Sequence, residues 1–396
     1  MPFKPFLDVF DYLFLLNILV TKIYTQILNI VDFVIYMHQI SPEQDFDYIY
    51  RELMPKISKT FYLTLQRLPE DLRRDCMVAY AYYRAEDNVE DGKDVDPREK
   101  VSLMNGLVST FSTGNVKTAV ALQKRLAKVH QTKEGYAELM RNYSRVVGAS
   151  KVLGEEIVDL IAEGGRQMAD GLGNPVIQNI RTLADHHVYC HYAAAVVGYF
   201  ITKDLVARGY ISKEIAKKIM PSTHDNNPPV RSNPAHDFSV ALQLTNNIRD
   251  FHDDFKNSIS RWPLELLSES RLTYQTLADP KIAGAKLKSA KNILFKQIED
   301  AKTFFPGAID WVDGLPYEFE NKNENDLAGI KESWATALVL SAATLRKIGT
   351  DKFFTNPDTR KLSHDNVRDL ALIVNDLARR KQNMRSLVER ILPSLS

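Results

Sequence analysis

Apolar residues recur at three- and four-residue spacing along most of the chain: over 43–67, 70–90, 97–113, 115–129, 133–148, 150–170, 176–208, 236–256, 280–304, 326–348 and 363–391. That period gathers them on one face of a helix, and no stretch of strand length alternates apolar with polar positions. The pattern predicts an all-α fold. Breaks fall at Gly92, Gly114, the glycines at 164, 165, 171 and 173, and Pro175. The longest covers 220–235 around Asn226-Asn227-Pro228-Pro229, and a second polar break runs from Pro316 to Asn325. Composition does not shift beyond residue 40, so one large helical domain is expected over 41–396.

Residues 1–40 follow a different pattern. From Tyr12 to Val31 the one charge is Lys22, set among Leu, Ile, Val, Phe and Tyr. Length alone would permit a membrane-spanning helix. However, Asn17, Thr21, Lys22, Thr25, Asn29 and Asp32 form a polar stripe, preceded by Asp8 and Asp11. Such a stripe predicts a helix lying in a membrane interface or against a partner. A signal peptide is disfavoured, because the basic start is Lys4 alone and no small-residue cleavage site follows. The expectation is attachment through residues 1–38, peripheral or N-terminally anchored, on the cytoplasmic side of a membrane. The C-terminal Leu387–Pro393 is too short and too charged to span one.

Composition narrows the classes. The chain has 396 residues, 44% hydrophobic and 26% charged, with formal net charge +1. That balance offers no basic face for nucleic acid. Cys76 and Cys190 cannot make a disulfide framework; in apolar helical contexts they suit a reducing compartment as small buried hydrophobes.

Two acidic clusters carry the candidate chemistry: Asp87-Asn88-Val89-Glu90-Asp91 and Asp250-Phe251-His252-Asp253-Asp254. In each, the outer aspartates are four residues apart, which puts both carboxylates on one helix face. Arg84 precedes the first cluster and Arg249 the second. Two such faces set opposite each other would repel unless divalent cations neutralised them. Mg²⁺ keeps coordination positions open for water and phosphate oxygens, and arginines could grip the same phosphates. The plainer alternative is two solvated helix faces, with Arg84 and Arg249 paired to their own helices.

Further motifs resemble the squalene and phytoene synthases, the head-to-head prenyl transferases. Ser58-Lys59-Thr60-Phe61 resembles the family's entry motif, and the run from Tyr80 to Asp91 its first aspartate helix. Tyr189-Cys190-His191-Tyr192 with Gly198 resembles a mid-chain helix of the squalene branch. The run from Gln243 to Asp250 resembles the second aspartate helix, and Trp262-Pro263 stands where the family has an aromatic-proline pair. Lys59, Gly92 and Gln243-Leu244-Thr245-Asn246 look more like the phytoene branch, and Thr336-Ala337-Leu338-Val339 lacks the Pro-Gln of squalene synthases.

The resemblance implies an all-α isoprenoid-synthase fold with the two aspartate helices facing across a central cavity. It implies Asp87, Asp91, Asp250 and Asp254 as Mg²⁺ ligands, with Asp253 a weaker one. Lys59, Arg84 and Arg249 would bind diphosphate, with Asn246 supporting the second metal site and Gln243 beside it. Phe61, Tyr80 and Tyr189 would line the cavity, Tyr189 as the catalytic tyrosine. Arg360 and Lys361 fall where squalene synthases have a basic NADPH-associated segment. The implied activity is condensation of two farnesyl diphosphates to presqualene diphosphate and reduction with NADPH to squalene. The rival is a phytoene or dehydrosqualene synthase, which ends by proton loss without NADPH. A retired member acting as a docking protein would be expected to have lost aspartates. His191 reads as a satisfied core histidine and His252 as an exposed one. The glycines around Met168-Ala169-Asp170 read as a helix bend or a loop break.

Overall fold

A computed structural model describes residues 20–22, 41–221, 233–257, 259–350, 352–356 and 359–392, and every regular element among them is a helix. Apart from an exposed helical turn at residues 20–22, the expectations for the N-terminal segment concern residues outside those described. Among the described residues no helix is long and apolar enough to cross a membrane.

The helices that position the site begin with α1 (Lys59–Leu65) and α2 (Glu70–Glu90). Next come α3 (Glu155–Leu172) and α4 (Leu183–Cys190), then α5 (Pro234–Arg249) and α6 (Phe251–Lys256). The last are α7 (Glu324–Ile348) and α8 (His364–Arg379). Helix α7 is buried on nearly all sides from Leu327 to Ile348, as a helix apolar all round must be. It packs against α1, α5 and α8, while α5 also lies against Phe305–Gly314. One polar pair crosses this core: Ser341 Oγ donates to Thr245 Oγ1 at 2.7 Å, tying α7 to α5.

Several expected helices are divided. The segment 43–67 breaks at Ser58, whose extended backbone (φ −156°) makes it the N-cap of α1, its Oγ accepting from Phe61 N. The segment 176–208 breaks at Asn179, and α4 restarts with a capping box between Thr182 and Asp185. It then widens into a π-turn at His191–Ala195. The segment 236–256 is interrupted at Asp250 (φ −89°, ψ 4°), yet Asp254 N still donates to Asp250 O at 2.9 Å. The four-residue relation of the two aspartates therefore survives. The segment 363–391 divides into α8 and Arg385–Ile391.

The glycine reading needs correction. Gly164, Gly165 and Gly171 lie inside α3, and only Gly173 stands at its end. A Cβ on Gly164 would come within 2.4 Å of Tyr83 Oη, and one on Gly165 within 2.2 Å of Tyr82 Oη. These glycines let α3 approach the tyrosine face of α2 rather than bend or break it.

Candidate active site

One cavity of about 990 Å³ is lined by both acidic clusters, by all three basic residues expected beside them, and by aromatic and aliphatic side chains. Helix α2 presents Tyr80, Arg84, Asp87 and Asp91 to it from successive turns of one face. The end of α5 with α6 presents Gln243, Asn246, Arg249, Asp250, Asp253 and Asp254. Helix α1 supplies Lys59 and Phe61, α4 supplies Tyr189, and α7 supplies Ala337, Leu340, Ser341 and Thr344.

The two clusters are not electrostatic copies. Arg249 forks onto its neighbour, Nε donating to Asp250 Oδ1 at 2.7 Å and Nη2 to Oδ2. Burial would raise the Asp250 carboxyl, but those bonds and the Arg249 charge outweigh it and hold it below the ordinary range. Arg84 meets Asp87 through a single 3.0 Å contact and shares itself with the Tyr80 hydroxyl and the Tyr136 ring. There burial wins: Asp87 is pushed up to about 6, with Asp91 adding repulsion. Burial likewise pushes Asp254 up to about 7, with Asp250 and Asp91 both raising it. That Asp91 acts on Asp254 places the two clusters within electrostatic reach across the cavity. Among the described residues, no three His, Cys, Asp or Glu side chains converge as a finished metal site.

Arg261 joins the two halves and is absent from the sequence-based set. Its Nη2 donates to Asp91 Oδ1 at 2.6 Å, its Nη1 lies 3.5 Å from Glu90, and its guanidinium sits 4.2 Å from the Tyr189 ring centroid. Burial pushes the Glu90 carboxyl up to about 7 despite that partner. Lys133 and Tyr136 also line the cavity, and Lys133 helps to hold Asp250 ionised. Asn247 also lines the cavity and ties its wall together. It donates to His186 Nε2 at 2.9 Å and accepts from Gln243 Nε2 at 3.0 Å, and its carbonyl takes the Trp262 indole. The quoted Trp262-Pro263 pair was the available signal for Arg261, which immediately precedes it.

The remaining expected residues fall as follows. Phe61 and Tyr80 meet at a tilt on the cavity wall, ring centroids 5.4 Å apart, and Tyr189 is buried, which keeps its phenol protonated. Lys59 is exposed. Asp253 is the outlying aspartate, its side chain 57% exposed and 3.8 Å from Lys361. Lys361 lines the cavity, whereas Arg360 is buried and its Nε donates to Phe353 O at 3.0 Å. His252 is buried, not exposed, wedged against Phe251 and Phe353, because α6 turns its ring into the core. His191 is held neutral by burial, at about 4, with its Nδ1 unpartnered rather than satisfied.

Comparison with known proteins places this geometry. The squalene/phytoene synthase family profile matches residues 54–368. The chain is similar to squalene synthase BSS of Botryococcus braunii, at 25% identity over 60% of this chain and 47% of the relative. It is also similar to squalene synthase 1 of Arabidopsis thaliana, at 28% identity over 58% and 50%. The chain thus spans about half the length of the curated relatives it matches. Among solved structures, the complex of TcSQS with E5700 aligns with TM-score 0.67 at 19% identity, over 88% of this chain and 96% of that one. A dehydrosqualene synthase complex aligns with TM-score 0.54 at 18% identity, over 86% and 98%. These likenesses show the all-α isoprenoid-synthase fold.

Proposed function

From the premise that the chain belongs to the squalene/phytoene synthase family of head-to-head prenyl transferases, we propose that it condenses two farnesyl diphosphates to presqualene diphosphate and reduces that with NADPH to squalene. The observation that carries this reading is the pairing of two carboxylate clusters and their arginines, on separate helices, with an apolar wall in one cavity.

The donor set fits Mg²⁺. Asp87 and Asp254 are half-buried carboxylates that burial and like charge push upward, and a hard cation would relieve both. Asp87 and Asp91 would hold metal on one side and Asp250 and Asp254 on the other, with water and diphosphate oxygens completing each shell. When bound, Mg²⁺ supplies Lewis acidity to the departing diphosphate. Arg84, Arg249 and Lys59 bind the same oxygens, with Asn246 alongside. Tyr189, kept protonated by burial, offers a hydrogen bond to the leaving group. Phe61, Tyr80, Leu242 and Leu340 keep water from the allylic cation left behind.

The reductive half rests on the relatives' name. Lys361 reaches the cavity but Arg360 is committed to Phe353, so the two do not form a joint NADPH-phosphate site. Ala337 and Leu338, where squalene synthases carry Pro-Gln, favour dehydrosqualene as a second reading. Residues 1–38 complete the proposal as a peripheral attachment to the cytoplasmic side of a membrane.

Incubation with farnesyl diphosphate and Mg²⁺, with and without NADPH, followed by hydrocarbon identification, tests this. Squalene formed only with NADPH supports the proposal. Dehydrosqualene in amounts indifferent to NADPH would replace it with the second reading. A preference for geranylgeranyl diphosphate would point to phytoene.

A further inference from the structure

A second cavity, of about 400 Å³, lies between α1 and α8 and shares Leu63, His364 and Val367 with the first. Its remaining apolar lining is Ala371 and Leu372, and its cations are Arg67, Arg368 and Arg379. Among the described residues no carboxylate lines it. Helix α8 buries Val374 and Ala378 against the body of the protein, yet Leu372 is 60% and Ile373 46% exposed beside the groove. Leu63 is exposed at its other edge. Large apolar side chains bared beside an arginine-lined groove match an amphiphile with an anionic head.

Two of the three arginines have carboxylate partners. Arg368 lies 3.4 Å from Asp365 and 3.6 Å from Asp369, all exposed. Arg67 meets Glu332 at 3.2 Å, and Arg379 makes no ion pair among the described residues. The exposed Arg368 pairs exchange readily for a phosphate oxygen, whereas Arg67 stays with the buried Glu332 carboxylate.

We propose that this groove binds an acidic phospholipid of a bilayer leaflet, so that the α8 face docks on membrane with the catalytic cavity opening beside it. Acyl chains meet Leu63, Leu372 and Ile373, and the lipid phosphate meets Arg368 and Arg379. The direction of traffic rests on the proposed function: a hydrocarbon product insoluble in water would pass Leu63 and Val367 directly into lipid. Docking itself requires no catalysis and is read separately.

The test is co-sedimentation of the full chain with phosphatidylcholine vesicles and with vesicles containing about one-third phosphatidylglycerol, at fixed ionic strength. The wild type should pellet with the acidic vesicles. Arg379→Glu and Leu372→Glu should each lower that binding at least about fivefold, with pyrophosphate release from farnesyl diphosphate in detergent solution unchanged. Val101→Glu, at an exposed apolar site elsewhere, should bind as wild type does. Retention by both groove variants would overturn the proposal by assigning attachment to another segment. So would equal binding to both vesicle types, no binding to either, or release from acidic vesicles by soluble inorganic pyrophosphate, which would make the ligand a free anion.

Discussion

Asp87 and Asp250 occupy matching places in the two clusters yet shift in opposite directions, and the difference lies in arginine geometry. A two-bond fork keeps Asp250 ionised, whereas the single contact from Arg84 leaves Asp87 dominated by burial. Arg261 supplies the missing charge by reaching Asp91 and Glu90 from beyond the second cluster. Arg261→Met should cut condensation by about a hundredfold, ~3 kcal/mol of barrier, because two half-buried cavity carboxylates lose their counter-charge. Arg261→Lys should recover part of it with the melting temperature near wild type; near-normal turnover in the Met variant would remove this role. Sequence spacing exposed the aspartates because four residues is a local relation. It could not expose Arg261, whose partner is 170 residues away.

The period of the apolar pattern located nearly every helix but not the places where helices give way. The break before α4 is closed by distant groups: Leu264 N and Glu265 N donate to Ile180 O and Arg181 O, and Glu265 Oε1 accepts from Leu183 N. Backbone partners from another part of the chain leave no local signature, so the segment read as continuous. The glycines of α3 misled for a related reason, since their purpose is visible only against α2. Gly165→Ala puts two effects in competition. Helix propensity favours alanine by about 1 kcal/mol. A new methyl 2.2 Å from Tyr82 Oη and 2.7 Å from Glu86 Oε1 has no room, and overpacking of this kind costs roughly 1–3 kcal/mol. The clash should win. Chemical denaturation should show net destabilisation of about 1–2 kcal/mol, with lower turnover as α2 shifts; a more stable variant would contradict the close-approach reading.

Across the whole molecule, α7 links the cavity wall to a buried charge. Lys331 is 2% exposed, donates to Asp313 O at 3.2 Å and lies 3.8 Å from the Tyr317 ring centroid. Burial lowers it to about 8. A lysine depressed in the folded state leaves the unfolded chain holding more protons between about 8 and 10.5, so its contribution to stability rises with pH there. Lys331→Met should therefore lose ground to wild type by roughly 2 kcal/mol between about pH 7 and 9.5 in denaturant titrations. A pH-independent difference would show that Lys331 titrates normally. The site itself depends on a wider convergence, with α2 and α5–α6 holding both carboxylate pairs against one cavity. The most direct measurement is pyrophosphate release from farnesyl diphosphate with Mg²⁺ by wild type, Asp87→Asn and Asp250→Asn. Each substitution should lower release at least about a hundredfold while thermal unfolding stays near wild type, because each side loses a ligand charge without a change of shape. Near-normal release by either variant would contradict a two-sided site.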